Sequence, residues 1–145
     1  SKYDVYRLGE IRDIHNQGKY DDFEIDHAEK VDATARYSDF SIAELTRSGH
    51  FHLEYGDLYI GRLSNSFSKV EVDSRYTGID VDLEGGASFE LDISTRYAGI
   101  RYPSGAEINY EVEQGSEHEV KGFVGDRASK NLIHVRAEYG NVRIK

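Results

Sequence analysis

Imidazole and carboxylate groups at matched positions offer the sharpest chemistry in this sequence. His50 and His52 stand fifth and third before one tyrosine, and Glu71 and Asp73 stand fifth and third before the next. If the two segments are neighbouring strands about 5 Å apart, the four side chains form an outward patch able to hold a divalent cation. A surface ladder of paired groups explains the same pattern. We favour the ladder, so no metal or other cofactor is predicted, and these four residues stay weak candidates.

Other catalytic arrangements have little support. Asp80 and Asp82 are expected to point outward from one strand and, with acidic neighbours, could cleave glycosides. An acidic strand face of this kind is, however, more typical of a solvated surface that resists aggregation. No Gly-x-Ser-x-Gly elbow is present, and Gly85-Gly86 lacks the spacing and lysine of a phosphate-binding loop. With no cysteine, thiol catalysis and thiolate metal sites are excluded. We therefore predict that the protein is not an enzyme.

The spacing of the tyrosines is nearly regular. Seven of them are separated by 17, 17, 18, 21, 21 and 42 residues. They are Tyr3, Tyr20, Tyr37, Tyr55, Tyr76, Tyr97 and Tyr139. The last interval is twice 21, and His118 occupies the vacant position. Self-similarity at about 20 residues is typical of stacked-repeat architectures.

Each tyrosine lies in the same local pattern. A charged residue precedes it, turn-forming residues follow, and an apolar-x-apolar triplet comes next, as in the EYGDLYI stretch of residues 54–60. Every second residue before each tyrosine is apolar or small, which indicates that these positions form the inward face of a strand. The same parity places the tyrosines inward as a structural core ladder and Tyr59 outward. After each tyrosine the parity changes, and residues such as Gly56-Asp57 and Gly140-Asn141 predict a bend there.

The repeat predicts an all-β fold with residues 1–145 as a single domain. We expect a single-stranded, right-handed parallel β-helix (a β-solenoid) of about eight coils of 17–21 residues. The alternative is an antiparallel β-meander or sandwich, in which Gly85-Gly86 is a hairpin turn.

Charge and hydropathy limit the partners. The net charge of −9 opposes binding to nucleic acid, and no apolar run is long enough to insert into a membrane. The absence of methionine is consistent with a removed secretory leader or with a trimmed segment.

The recurring Tyr-Gly-Asp/Asn-apolar-x-apolar pattern resembles the bacterial adhesin-type, head-GIN-like family of β-solenoids of the cell envelope. The similarity extends from Tyr3 to Ile144 and departs from the pattern at Val5 and around His118. It implies a right-handed β-helical body and an extracytoplasmic location: secreted, periplasmic or on the cell surface.

Together these features predict a non-catalytic, adhesin-like structural rod for interaction or assembly. The alternative is a carbohydrate-binding or carbohydrate-active β-helix protein, so the expected partners are a cell-surface glycan or protein. A homo-oligomer through the solenoid ends is also predicted, in which the Tyr139 coil stacks on the Tyr3 coil of the next molecule and builds a fibre. Capping of the ends by further sequence or by a partner is the other expectation.

Overall fold

The computed structural model describes the backbone of residues 4–19, 21–127 and 129–145 and the side chains of residues 22–127 and 129–145. Tyr3 and Tyr20 lie outside the described residues. All regular structure in this part of the chain is β, which confirms the predicted class. The strands are β1 Asp4–Lys19, β2 Asp21–Arg36, β3 Asp39–Leu63, β4 Lys69–Leu83, β5 Phe89–Arg96, β6 Ile100–Arg101, β7 Glu107–Gln114, β8 Glu117–Val124, β9 Leu132–Glu138 and β10 Val142–Ile144. Within the same residues, no helix is long and apolar enough to span a bilayer.

The strands form one open, mixed sheet in the order β1-β2-β3-β4-β9-β5-β8-β7. Pairing is parallel from β1 to β5, as the stacked-repeat prediction requires. Pairing is antiparallel between β5 and β8 and between β8 and β7, as the alternative architecture would have it. The antiparallel hairpin turns at Gly115-Ser116, whereas the expected hairpin at Gly85-Gly86 does not form because β9 separates β4 from β5.

The parallel strands pair in a register that repeats the tyrosine period. Phe23 lies beside Phe40, and Phe51 beside Val72, so like positions stack on like positions. The positions predicted to face inward before each tyrosine are buried. They include Val31, Ala33, Ala35, Phe51, Leu53, Val70, Val72, Leu91, Ile93, Ile133, Val135 and Ala137. The core also contains a parallel stack of the Phe23 and Phe40 rings, 4.7 Å apart.

The strands β9 and β10 are inserted out of sequence order. β9 pairs with β4 on one edge and β5 on the other, and β10 lies between β4 and β6. Val142 and Ile144 are therefore buried in the interior of the stack. The assumption that the Tyr139 segment forms an end is therefore wrong, because β9 lies inside the sheet, whereas self-association through the ends stays a prediction.

The prediction for His118 is also wrong in one respect. This residue does not fill a vacant tyrosine position in a parallel coil, because it lies on antiparallel β8 opposite Thr95. Its Nε2 atom lies 3.1 Å from a Glu111 carboxylate oxygen.

From β2 to β5, two kinds of corner alternate in spatial order, and this alternation favours the position of the insertion. One kind reads Arg-Tyr followed by Ser, Thr or Ala, and the other reads Glu-Tyr-Gly. In spatial order the residues before the tyrosines are Arg36, Glu54, Arg75, Glu138 and Arg96. Without the insertion, Arg75 and Arg96 would be neighbours, and like charges on adjacent strands are destabilising.

The close approach of backbones at the corners favours the same order of strands. A Cβ atom at Gly140 would lie 2.0 Å from the Thr77 carbonyl oxygen, so only glycine fits beside that corner. Gly56 has the same relation to Ser38, at 1.9 Å. On the other side of the inserted segment, the Asn141 side-chain oxygen accepts a hydrogen bond of 2.9 Å from the Gly99 N–H. The inserted segment therefore matches both of its neighbours.

Candidate interaction surface: the tyrosine ladder

Five tyrosines form a continuous stack on the outside of the protein. Adjacent ring centroids are 4.8 to 4.9 Å apart, and the planes differ by 4 to 8°. In spatial order this tyrosine ladder consists of Tyr37, Tyr55, Tyr76, Tyr139 and Tyr97. The residues are 42 to 56% exposed, so the prediction of an inward core ladder is wrong.

The backbone at the tyrosines explains the error. All five have positive φ angles, between 52° and 58°, which is the left-handed region. A left-handed residue reverses the alternation of a strand, so a side chain expected inside points to solvent. The next residue then faces inward, and Ser38 and Thr77 are buried accordingly. The predicted change of parity exists, but it occurs at the tyrosine itself.

Tyrosine is an unusual choice for this conformation. The left-handed region costs a residue with a Cβ atom about 1–2 kcal/mol, and glycine or asparagine is normally found there. Stacking offsets part of this cost, since each aromatic pair contributes about 0.5–1.5 kcal/mol beyond its area burial. Strained backbone conformations cluster at functional surfaces. Five strained, exposed tyrosines in one line therefore identify the first candidate for a functional surface.

A ladder of alternating charges runs beside the rings. A carboxylate oxygen of Glu54 lies 2.9 Å from Nε of Arg36, and one of Glu138 lies 3.0 Å from Nε of Arg75. The hydrogen bond to Glu138 raises the pKa of the Arg75 guanidinium. Because the charges neutralise each other, the strip beside the tyrosines has little net attraction for a charged polymer.

Two further carboxylates lie on the other side of the ladder. An oxygen of Asp39 accepts a hydrogen bond of 2.8 Å from the Asp57 N–H. Partial burial raises the pKa of Asp39, and the charges of Asp22 and Asp57 act in the same direction, whereas the hydrogen bond from Asp57 lowers it. Asp22, Asp39 and Asp57 thus bring three acidic groups together at this corner.

The predicted histidine and carboxylate neighbours are on adjacent strands. His50 lies beside Glu71 and His52 beside Asp73, as the tyrosine count indicates. His52 Nδ1 is 3.7 Å from an Asp73 oxygen, whereas His50 Nδ1 is 3.8 Å from a different carboxylate, that of Asp32. Among the residues whose side chains are described, no group of three or more His, Cys, Asp or Glu could hold a metal ion.

The insertion extends this row. In spatial order it reads Asp32, His50, Glu71, His134 and Asp92. His134 Nδ1 lies 3.8 Å from a Glu71 oxygen, and His50 is the neighbour of Glu71 on the other adjacent strand. Acidic and imidazole groups thus alternate just as the arginines and glutamates do, which is typical of a surface ladder.

A cleft of about 270 Å³ lies beside the end of the ladder and is lined by residues of β5, β7, β8 and β9. Its ionisable groups are mostly held in pairs, since Arg96 lies 3.9 Å from Glu117 and His118 lies 3.1 Å from Glu111. These contacts leave the cleft without an evident arrangement of nucleophile and base.

No family model, curated protein or solved structure matches this chain. The function must therefore be inferred from the surface itself. The tyrosine spacing identifies the ladder as a series of equivalent residues, but it does not predict that their rings are exposed. The two kinds of corner, Arg-Tyr and Glu-Tyr-Gly, were visible in the sequence and are a signal that favours the insertion.

Proposed function

We propose that this chain is a non-catalytic interaction module whose contact surface is the tyrosine ladder. The observation that carries the proposal is the continuous line of five exposed tyrosines in strained left-handed conformations. Tyrosine supplies a large, rigid and amphipathic contact area at a small cost in side-chain entropy, and it is enriched at protein interfaces. The Arg–Glu row and the His–carboxylate row both contain ion pairs within the protein, whereas the ladder presents exposed aromatic rings.

We further propose that the parallel strands wind as a right-handed β-solenoid that supports the ladder. Arg36 is only three residues before Asp39, yet Asp39 pairs with Asp22 at the other end of β2. Three residues span at most about 11 Å, whereas an extended chain from Asp22 to Arg36 would span about 45–50 Å. The pairing is thus compatible with a strand that turns back within each coil. Right-handed winding is the default for parallel connections.

We propose an extended protein segment as the partner in preference to a glycan. Sugar rings stack on aromatic faces, but in the ladder most faces are covered by the neighbouring rings at 4.8 to 4.9 Å. What the ladder presents is a strip of ring edges and phenol groups with the spacing of β-strands. Apolar side chains and backbone amides of an extended segment can contact such a strip along its length.

A display library of short random peptides would test this proposal. Wild-type protein is the target, and the Tyr55→Gly/Tyr76→Gly variant, which keeps a residue suited to positive φ, is the counter-target. Tyr59→Ser is the matched control, since Tyr59 is exposed outside the ladder. We expect selected peptides to bind wild type and control alike and the ladder variant at least tenfold more weakly. Equal binding to all three proteins would place the contact surface elsewhere.

A glycan array on the same three proteins tests the alternative. Glycan binding that disappears in the ladder variant would favour a carbohydrate-binding module over the protein-binding one. The extracytoplasmic location stays a prediction from the family resemblance.

A further inference from the structure

The composition of the chain directs oxidation to tyrosine. The 145 residues contain no cysteine, methionine or tryptophan but 11 tyrosines. Cysteine and methionine are the side chains that ordinarily take up oxidising equivalents in proteins. In their absence, the phenol groups are the most readily oxidised groups, and five of them lie in one exposed stack.

We propose that the tyrosine ladder is a site of oxidative cross-linking, in which hydrogen peroxide and a haem peroxidase couple neighbouring tyrosines into dityrosine. The ring centroids of neighbours are 4.8 to 4.9 Å apart, and each ring is open to solvent along its edge. Two phenoxyl radicals formed on adjacent rings are therefore already within reach of each other. This inference is independent of the protein-binding role proposed above.

The reaction balances without any further reactant. The peroxidase uses one hydrogen peroxide to remove one hydrogen atom from each of two phenol O–H groups, which yields two phenoxyl radicals and two waters. The radicals join through their ortho carbons. Each joined carbon then loses its proton, each phenol oxygen regains one, and both rings are aromatic again. The product is two hydrogen atoms lighter than the two tyrosines.

Exposed tyrosines outside the ladder provide an internal comparison. Tyr59, Tyr102 and Tyr110 are also exposed, but none of them stacks on another tyrosine among the residues that the structure describes. A radical on one of them has to meet a second protein molecule. Ladder coupling is thus intramolecular and independent of protein concentration, whereas coupling at these three residues requires collisions.

The links at Tyr139 have a structural consequence. Tyr139 stacks on Tyr76 and Tyr97, which are 63 and 42 residues away in sequence. A bond to either one would hold the inserted β9–β10 segment in its place by a covalent closure of a long loop. Cross-links that close long loops restrict the unfolded chain, so the oxidised protein should resist unfolding.

The test treats dilute full-length protein with hydrogen peroxide and a haem peroxidase and isolates the monomer. We expect dityrosine fluorescence, the loss of two hydrogen masses per link, and peptide maps that join Tyr139 to Tyr76 or Tyr97. The urea midpoint of this monomer should rise. Tyr139→Phe keeps the ring but removes the phenol, so it should lose these two links and the rise in midpoint. Tyr59→Phe is the matched control and should behave as wild type.

Three results would overturn the proposal. The first is dityrosine found only in dimers and larger species. The second is a wild-type map in which Tyr59, Tyr102 and Tyr110 are joined as often as the ladder residues. The third is oxygen addition to the rings without any link. The wild-type map alone decides between these results and the expected one, even if Tyr139→Phe fails to fold.

Discussion

Replacing Tyr76 by alanine and by glycine should separate the stacking of the ladder from its backbone strain. Tyr76 has a φ of 52° and stacks on Tyr55 and Tyr139, with centroids 4.8 Å away in both cases. Removing the ring loses two stacking contacts and the buried half of the side chain. We estimate a loss of about 2–4 kcal/mol in the free energy of unfolding for Tyr76→Ala.

Tyr76→Gly loses the same contacts but relieves the left-handed backbone. The relief is about 1–2 kcal/mol, which exceeds the conformational-entropy cost of glycine, about 0.5–1 kcal/mol. The glycine variant should therefore be more stable than the alanine variant by about 0.5–1 kcal/mol. This order is the reverse of that in an ordinary strand.

Urea denaturation of both variants measures the two differences. Tyr59 is the control site, because it is similarly exposed but does not have a positive φ. There the ring deletion should cost less than about 1 kcal/mol, and alanine should be more stable than glycine. If alanine is the more stable replacement at Tyr76 as well, the strain assigned to the ladder is absent. If Tyr76→Ala costs no more than Tyr59→Ala, stacking contributes nothing.

Three further predictions follow from the corners and the inserted strand. Gly140→Ala should lower the free energy of unfolding by about 1–3 kcal/mol, because the new Cβ meets the Thr77 carbonyl. Gly85→Ala is the control: a Cβ there has nothing within 4 Å, so the same urea titration should show almost no change. Asp39→Asn should stabilise the protein at neutral pH, because the raised pKa of Asp39 means that folding disfavours its ionised form. The advantage of the variant should vanish when the pH falls below 3.8, the ordinary pKa of an aspartate. A stability difference that stays constant across pH would contradict this. Amide hydrogen exchange should be slower in β9, which is paired on both edges, than in β7, which among the described residues pairs only with β8. Equal protection of the two strands would contradict this.

The sequence was sufficient for the periodic parts of the fold. Alternating apolar residues such as Val70 and Val72 identified the inward strand face, and the tyrosine count placed His50 beside Glu71 in the correct register. These features depend on local alternation and on a repeat length, both of which are explicit in the sequence.

The side on which the tyrosines lie was not predictable in the same way. Parity assumes that every residue before a bend is extended, and a single left-handed residue invalidates it. Tyrosine gives no warning of that conformation, since Gly or Asn normally marks it. The bulky aromatic ring favoured a core position instead, and only the φ angles of the five tyrosines reveal the exposed ladder.

The order of the strands was missed for a different reason. Neighbours in sequence are usually neighbours in space, and this default joined β4 to β5. The charges contradicted it, because it places Arg75 beside Arg96 and leaves Glu138 without an arginine on either side. Weak surface pairs seldom decide a topology. Here, however, the charge order, the glycine at position 140 and the Asn141 hydrogen bond all favour the insertion of β9 and β10 next to β4.

The insertion also determines whether the proposed contact surface exists. Tyr139 is the only described ring between Tyr76 and Tyr97, so with β4 and β5 held in their native places its absence would divide the ladder by a gap of two ring spacings. The row of alternating Arg and Glu residues would be interrupted at the same level. A partner that needs the whole strip can therefore bind only after β9 and β10 have entered the sheet. Recognition by such a partner would be coupled to completion of the fold, and any change that weakens the fit of Gly140 or Glu138 should reduce binding as well as stability.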